Sequence, residues 1–189
     1  IVAAVLYNTL SDEYRPDPLA TDSAQTGQQT DAEQGMTGDN AASDTTEDAA
    51  LTKAPDFAML NQNGETVRLS DYFGKPIVLN FWATWCYYCK EEMPDFNEAY
   101  GEHDDIQFMM VNVTDGYQET LETAKNYIEE QGFSFPVFFD TETEAASLYG
   151  LTGLPKTYFI DKNGNLIAHG NGMLTRDALE RGIAMITEE

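Results

Sequence analysis

Two cysteines, Cys86 and Cys89, are the only ones in the 189-residue chain, and they stand where an apolar run of strand length gives way to a helix. Before them runs Pro76-Ile77-Val78-Leu79-Asn80-Phe81, and after them comes Lys90-Glu91-Glu92-Met93-Pro94-Asp95-Phe96, which reads as helical. A strand that is apolar nearly throughout is one buried on both faces, as in layered α/β proteins. Backbone N–H groups at a helix N-terminus lack intrahelical partners and carry partial positive charge. A thiolate placed there is stabilised, and its pKa falls from about 8.5 toward roughly 3.5–7.5. Cys86, at the exposed helix start, is therefore the expected nucleophile. Cys89, three residues on and more covered, is the expected resolving thiol of a thiol–disulfide exchange.

Two other uses of a Cys-x-x-Cys pair fit this chain less well. A structural disulfide closing so short a loop removes little entropy from the unfolded chain. A structural zinc site takes about four ligands. Beyond the cysteines the sequence offers His103 and His169, neither with a partner ligand beside it. No metal is expected, and no cofactor beyond the Cys86–Cys89 disulfide itself. The methionines show no metal-like spacing, and Met109, Met110 and Met185 are expected to fill core space.

Residues 11–54 are a different material from the rest. They are rich in Thr, Ala, Asp, Gln, Ser and Gly and nearly lack large apolar side chains. Such a segment cannot bury enough apolar surface to offset its chain entropy. It reads as an acidic disordered linker, with residues 55–189 as the folded domain beyond it. Residues 1–10 open on Ile1-Val2-Ala3-Ala4-Val5-Leu6-Tyr7. That is too short for a bilayer crossing of about 20 residues, and it reads as the remnant of a membrane anchor.

Within the domain, Ala54–Leu60 and Glu65–Val67 around Asn63-Gly64 read as a β-hairpin. Ile77–Trp82 and Ile106–Val113 read as buried strands, separated by a helix to about His103 that Pro94 should kink. Tyr117–Gln131 reads as helix, with Leu121, Ala124, Tyr127 and Ile128 on one face and Gly132 as its stop. Phe135–Asp140 is a short strand and Glu144–Tyr149 a short helix. Thr157–Ile160 and Asn165–His169 form a hairpin about Asn163-Gly164. A last helix runs from an N-cap at Thr175 to about Thr187. Alternating strands and helices of this kind make an α/β layered domain.

The charge balance limits the partners. Thirty-three acids face ten bases, a net charge of −23. Such a surface repels nucleic acid and anionic membrane, so neither is expected as a partner.

With these residues in view, the chain resembles the TlpA/ResA-like branch of the thioredoxin superfamily. The resemblance is carried by Pro55-Asp56-Phe57, by Val78-Leu79-Asn80-Phe81-Trp82-Ala83-Thr84-Trp85-Cys86, by Cys89-Lys90-Glu91-Glu92-Met93-Pro94, by Gly153-Leu154-Pro155 and by Tyr158-Phe159-Ile160-Asp161-Lys162-Asn163-Gly164. It implies a thioredoxin fold with an N-terminal β-hairpin and a helical insertion after the second core strand. It also implies an extracytoplasmic, membrane-tethered thiol:disulfide oxidoreductase that reduces disulfide-containing proteins and is recharged by a membrane electron donor of the CcdA/DsbD type. By the same resemblance Pro155 is a cis-proline beside the disulfide, Leu154 offers backbone groups to the substrate, and Glu92 is an acid handling the Cys89 proton. Trp85, Tyr87 and Tyr88 would frame the substrate surface. Asn80 stands where ordinary thioredoxins carry an acid, which leaves Glu92 as the acid near the pair. Tyr87-Tyr88 contains no proline, and Lys156 stands where a small hydroxyl residue is frequent. A cation at Lys156 would favour the thiolate if it faced the pair.

Three alternatives stay open at this stage. The pair could oxidise or isomerise clients, since the dipeptide between the cysteines does not fix the potential. A related peroxidase would want Thr-x-x-Cys with a lone peroxidatic cysteine, and Trp85-Cys86-Tyr87-Tyr88-Cys89 lacks that arrangement. A surface adaptor with a structural disulfide would have no exchange activity.

Overall fold

A computed structural model describes residues 19–21 and 51–187. The elements follow in order: β1 (Leu19–Thr21), β2 (Ala58–Leu60), β3 (Thr66–Arg68), β4 (Ile77–Trp82), α1 (Tyr87–Glu102), β5 (Gln107–Asn112), α2 (Leu121–Gln131), β6 (Val137–Phe139), α3 (Glu144–Leu148), β7 (Lys156–Ile160), β8 (Leu166–Asn171) and α4 (Arg176–Thr187). The strands form one eight-stranded sheet in the order β1-β8-β7-β4-β5-β6-β2-β3. β4 pairs in parallel with β5, and β5 with β6, while β7 runs antiparallel to β4. The two parallel pairs are joined through α1 and α2, as parallel strands require a long crossover.

β4 lies at the centre and all six of its residues are buried. Its side chains alternate between two apolar layers. Ile77, Leu79 and Phe81 join Phe57, Met109, Val111 and Tyr158 on one face. Val78 and Trp82 join Met93, Phe96, Ala124 and Leu179, from α1, α2 and α4, on the other. Period-two alternation with both faces covered is what the uninterrupted apolar run requires. Gly182 makes the α4 layer possible. A Cβ there would lie 2.1 Å from the Phe159 ring, so only glycine lets helix and strand approach this closely.

The expected hairpin is present as β2 and β3, with Gly64 at φ 81°. The β7–β8 turn forms at Asn163-Gly164, with Gly164 at φ 80°. Thr175 caps α4 through a hydrogen bond from the Ala178 N–H. α1 continues through Pro94, which has no N–H to donate to the preceding turn.

Two boundaries differ from the reading. The insertion helix starts at Leu121, not Tyr117. Thr120 is its N-cap, and residues 117–119 turn instead around Asp115, whose Oδ1 accepts the N–H groups of Tyr117, Gln118 and Glu119 at 2.8–2.9 Å. An Asx side chain competing for backbone donors in this way displaces a helix start. The stretch 11–54, read as disordered linker, also contains sheet structure. Leu19–Thr21 pairs antiparallel with β8, opposite Gly170 to Ala168. The Leu166 N–H donates to Thr52 O and the Ala54 N–H to Gly164 O, so the folded unit begins before residue 55. Residues 11–18 and 22–50 of the linker and the segment 1–10 lie outside the described residues. Among the described residues, no helix is long and apolar enough to cross a membrane.

Candidate active site

Cys86 is the N-cap of α1 and is disulfide-bonded to Cys89, with Cα atoms 5.3 Å apart. Its Sγ accepts the Cys89 N–H at 3.1 Å, which places the sulfur over the unpaired donors of the helix start. The loop leading in is a tight turn, closed by the Cys86 N–H donating to Ala83 O at 3.1 Å. Cys86 keeps 5% of its surface exposed and Cys89 keeps none. Cys86, expected at an exposed helix start, is buried in the disulfide and is only slightly less covered than Cys89.

The surface around the pair is aromatic. Trp85, Tyr87 and Tyr88 are half or more exposed, and the two tyrosine rings meet edge-on with centroids 5.4 Å apart. The Leu154–Pro155 peptide is cis, and Lys156 directly after it pairs with Phe81 at the end of β4. This register brings the proline loop to the same end of the sheet as the cysteines. Beside Thr84 a groove of about 420 Å³ runs along α2, past Glu122, Asn126, Tyr127 and Glu130.

Glu92 lies one helical turn past Cys89 and is 1% exposed. Its two oxygens are held separately. Oε1 accepts from Asn80 Nδ2 at 2.8 Å, and Oε2 accepts from the Leu174 N–H at 2.8 Å. Burial pushes the Glu92 carboxyl up to about 8, with the two hydrogen bonds opposing and Asp95 adding to the rise. The second proton of Asn80 Nδ2 goes to Thr157 Oγ1 at 3.0 Å. A chain of polar contacts therefore crosses from β7 through β4 to α1, which it meets one helical turn past Cys89.

Lys156 does not join this group. Its ammonium lies 5.3 Å over the Tyr158 ring. Tyr158 belongs to the apolar layer on the face opposite Cys89 and Met93. Strand alternation sends residue 156 to one face and residue 157 to the other, so the hydroxyl facing the Glu92 site is that of Thr157.

Thr157, Leu174 and Glu119 were not singled out from the sequence. Thr157 was reachable by counting alternate residues from Phe159. The Leu174 contact is a backbone donor and carries no side-chain signal. Glu119 falls within the expected Tyr117–Gln131 helix and carries no signal of its own in the sequence. In the structure it is fully buried and bonded to Thr84. Glu102, His103 and Glu180 bring ligand-type atoms within 4.8 Å of one another at the far end of α1. Arg176 already bonds Glu180 at 2.8 Å and also Glu102, so this cluster is an ion-pair network.

Comparison with known proteins agrees with this geometry. The AhpC/TSA family profile matches residues 51–169. The chain is 36% identical over 140 residues to the thiol-disulfide oxidoreductase ResA of Geobacillus kaustophilus, covering 73% of this chain and 78% of that protein. It is 40% identical over 132 residues to the protein of the same name from Oceanobacillus iheyensis, covering 67% of each. Among solved structures, a thioredoxin-family thiol:disulfide interchange protein from Chlorobium tepidum superposes with a TM-score of 0.63 at 30% identity, over 74% of this chain and 98% of that one. The exposed lipoprotein thioredoxin of Streptococcus pneumoniae superposes at 0.62 and 32% identity, over 69% and 98%.

Proposed function

The chain belongs to the AhpC/TSA family and is a ResA-like thiol–disulfide oxidoreductase of thioredoxin fold acting on disulfide-containing proteins, and from this premise we propose that it works outside the cytoplasm as a reductase. The observation that carries the exchange chemistry is the pairing of a helix-capping Cys86 with a buried acid, Glu92, one turn beyond Cys89. In the reduced protein the Cys86 thiolate attacks a client disulfide. One client sulfur leaves as a thiolate and a mixed disulfide forms. Cys89 loses its proton and attacks Cys86 Sγ, releasing the second client thiolate. The client disulfide gains two electrons and becomes a dithiol, and Cys86–Cys89 becomes the disulfide.

Glu92 serves the second step. A carboxyl group pushed up to about 8 can exchange a proton around neutral pH, which is what the loss of the Cys89 proton requires. Trp85, Tyr87, Tyr88 and Leu154 form the client surface, and the cis-Pro155 loop lies at the same end of the sheet. The reducing direction is supported by the resemblance of Trp82–Cys89 and Leu154–Pro155 to the TlpA/ResA-like branch. The same resemblance supports recharging by a membrane donor of the CcdA/DsbD type and tethering at the membrane, in keeping with the exposed lipoprotein among the similar structures.

A second reading has one observation in its favour. The Cys89 N–H on Cys86 Sγ stabilises a thiolate, and a stabilised reduced form makes a stronger oxidant. The two directions separate on the reduction potential. The exchange activity itself is tested by Cys86→Ser in dithiothreitol-driven insulin reduction. Wild type is expected to accelerate precipitation of the insulin chains, and the variant to fall to the uncatalysed rate. Equal acceleration by both proteins would refute the enzyme mechanism.

A further inference from the structure

Glu119 is fully buried, lies beside the active-site loop, and takes no part in the exchange steps above. Its Oε1 accepts the Thr84 N–H at 3.1 Å and Asn112 Nδ2–H at 2.8 Å. Its Oε2 accepts the Thr84 hydroxyl at 2.6 Å. Asn112 ends β5 and is itself fixed by the Thr114 hydroxyl, which donates to its Oδ1 at 2.7 Å. On the other side, the turn around Asp115 gathers three consecutive N–H groups and holds Glu119 at its end. One carboxyl group thus pins the end of β5, the loop before α2 and the loop between β4 and α1.

Thr84 is two residues before Cys86, inside the turn closed from Cys86 N–H to Ala83 O. Cys86 follows that turn directly and caps α1, where its Sγ meets the Cys89 N–H. We infer that Glu119 is a positioning residue for the exchange reaction: by holding both the N–H and the hydroxyl of Thr84, it keeps Cys86 Sγ over the donors of the helix start. This inference rests on the exchange mechanism proposed above and adds the insertion to it as a support for the nucleophile. With the clamp removed, the loop can turn Sγ away from the Cys89 N–H. The thiolate then loses a hydrogen bond and the helix-end field, and its pKa rises.

The alternative is a fixture that only secures α2 to the sheet. It would change stability and leave the thiol unchanged. The test is the pH dependence of Cys86 alkylation by iodoacetamide in the reduced full chain, with Cys86 identified by peptide mass. In Glu119→Ala the midpoint of the profile is expected to move to higher pH by about one unit, which makes alkylation roughly tenfold slower at pH values below the wild-type midpoint. Glu119→Gln can keep all three bonds, its carbonyl accepting both N–H groups and its amide donating to the Thr84 hydroxyl, so its profile is expected within about twofold of wild type. Thr84→Val removes one of the three bonds, retains the backbone N–H donor, and is expected to shift in the same direction by less.

A Glu119→Ala profile that overlays wild type would overturn the inference, and so would a Gln variant as slow as the Ala variant. Should Glu119→Ala not fold, Thr84→Val decides, and an unchanged profile there also overturns it. A wild-type protein that exchanges no disulfide at all would overturn the exchange mechanism instead, whatever the variants do.

Discussion

Asn80 donates an amide proton to Glu92 at 2.8 Å where neither residue is reached by solvent. An amide in this place of the central strand has a specific consequence. A second carboxyl group would set two acids against each other and push one further toward its neutral form. Asn80 instead gives Glu92 a hydrogen bond that favours the charged form and partly offsets burial. The net position near 8 lets Glu92 take up or give back a proton around neutral pH, as the resolving step needs.

Glu92 also ties stability to pH. Its folded-state pKa, about 8, lies above the ordinary value of 4.5, so between these limits the native protein holds more protons than the unfolded chain. Stability contributed by this group is full below about pH 4.5 and is lost as pH rises through 8, at up to about 1.4 kcal/mol per pH unit. Chemical denaturation at a series of pH values is expected to show this decline in wild type. Glu92→Gln is expected to lack that slope and to gain relative stability toward pH 8. The same variant is expected to slow turnover and to remove an ionisation near 8 from its pH profile. Parallel stability curves for the two proteins would place Glu92 in a less buried setting than the structure does.

The exposed ring pair is expected to act on protein clients and not on small ones. Replacing Tyr87 and Tyr88 together by Ser removes two rings that offer apolar area to a partner. Such anchors contribute about 1–2 kcal/mol each at interfaces, so KM for a protein disulfide is expected to rise roughly tenfold or more. Reaction with a small aromatic disulfide should change little. Equal losses on both substrates would point to a change in the thiols themselves.

Gly182 offers a test of the packing. Alanine there would gain about 1 kcal/mol of helix propensity. It would also drive a methyl group into the Phe159 ring, where a Cβ would lie 2.1 Å away. Overpacking of this kind costs about 1–3 kcal/mol. The expected outcome is a lower Tm for Gly182→Ala despite the better helix former. An unchanged or higher Tm would mean that α4 can move off the sheet at little cost.

The parts of this fold that are legible in the sequence are those whose pattern is local. β4 shows as an unbroken apolar run, the hairpins show at Asn63-Gly64 and Asn163-Gly164, and the cysteine pair marks the start of α1. What was not legible depends on partners distant in sequence. β1 is three residues with no alternation to read, and its pairing is supplied by β8. Asp115 delays α2 by drawing three N–H groups into a turn, which a residue pattern suited to a helix does not show. A cation at Lys156 would favour the thiolate only from the face of the cysteine pair, and strand alternation assigns it to the opposite face. Glu92 was recognisable as an acid one turn from Cys89, but its burial depends on the Leu174 N–H and on Asn80 across the sheet.

The reducing direction is the central claim, and the reduction potential of the Cys86–Cys89 pair tests it most directly. The protein would be equilibrated with defined thiol–disulfide buffers and its free thiols trapped and counted. The account expects a value near or below about −250 mV, within the range of thioredoxin-type reductants. A value near about −150 mV or higher would contradict it and make the protein an oxidant or isomerase of its clients.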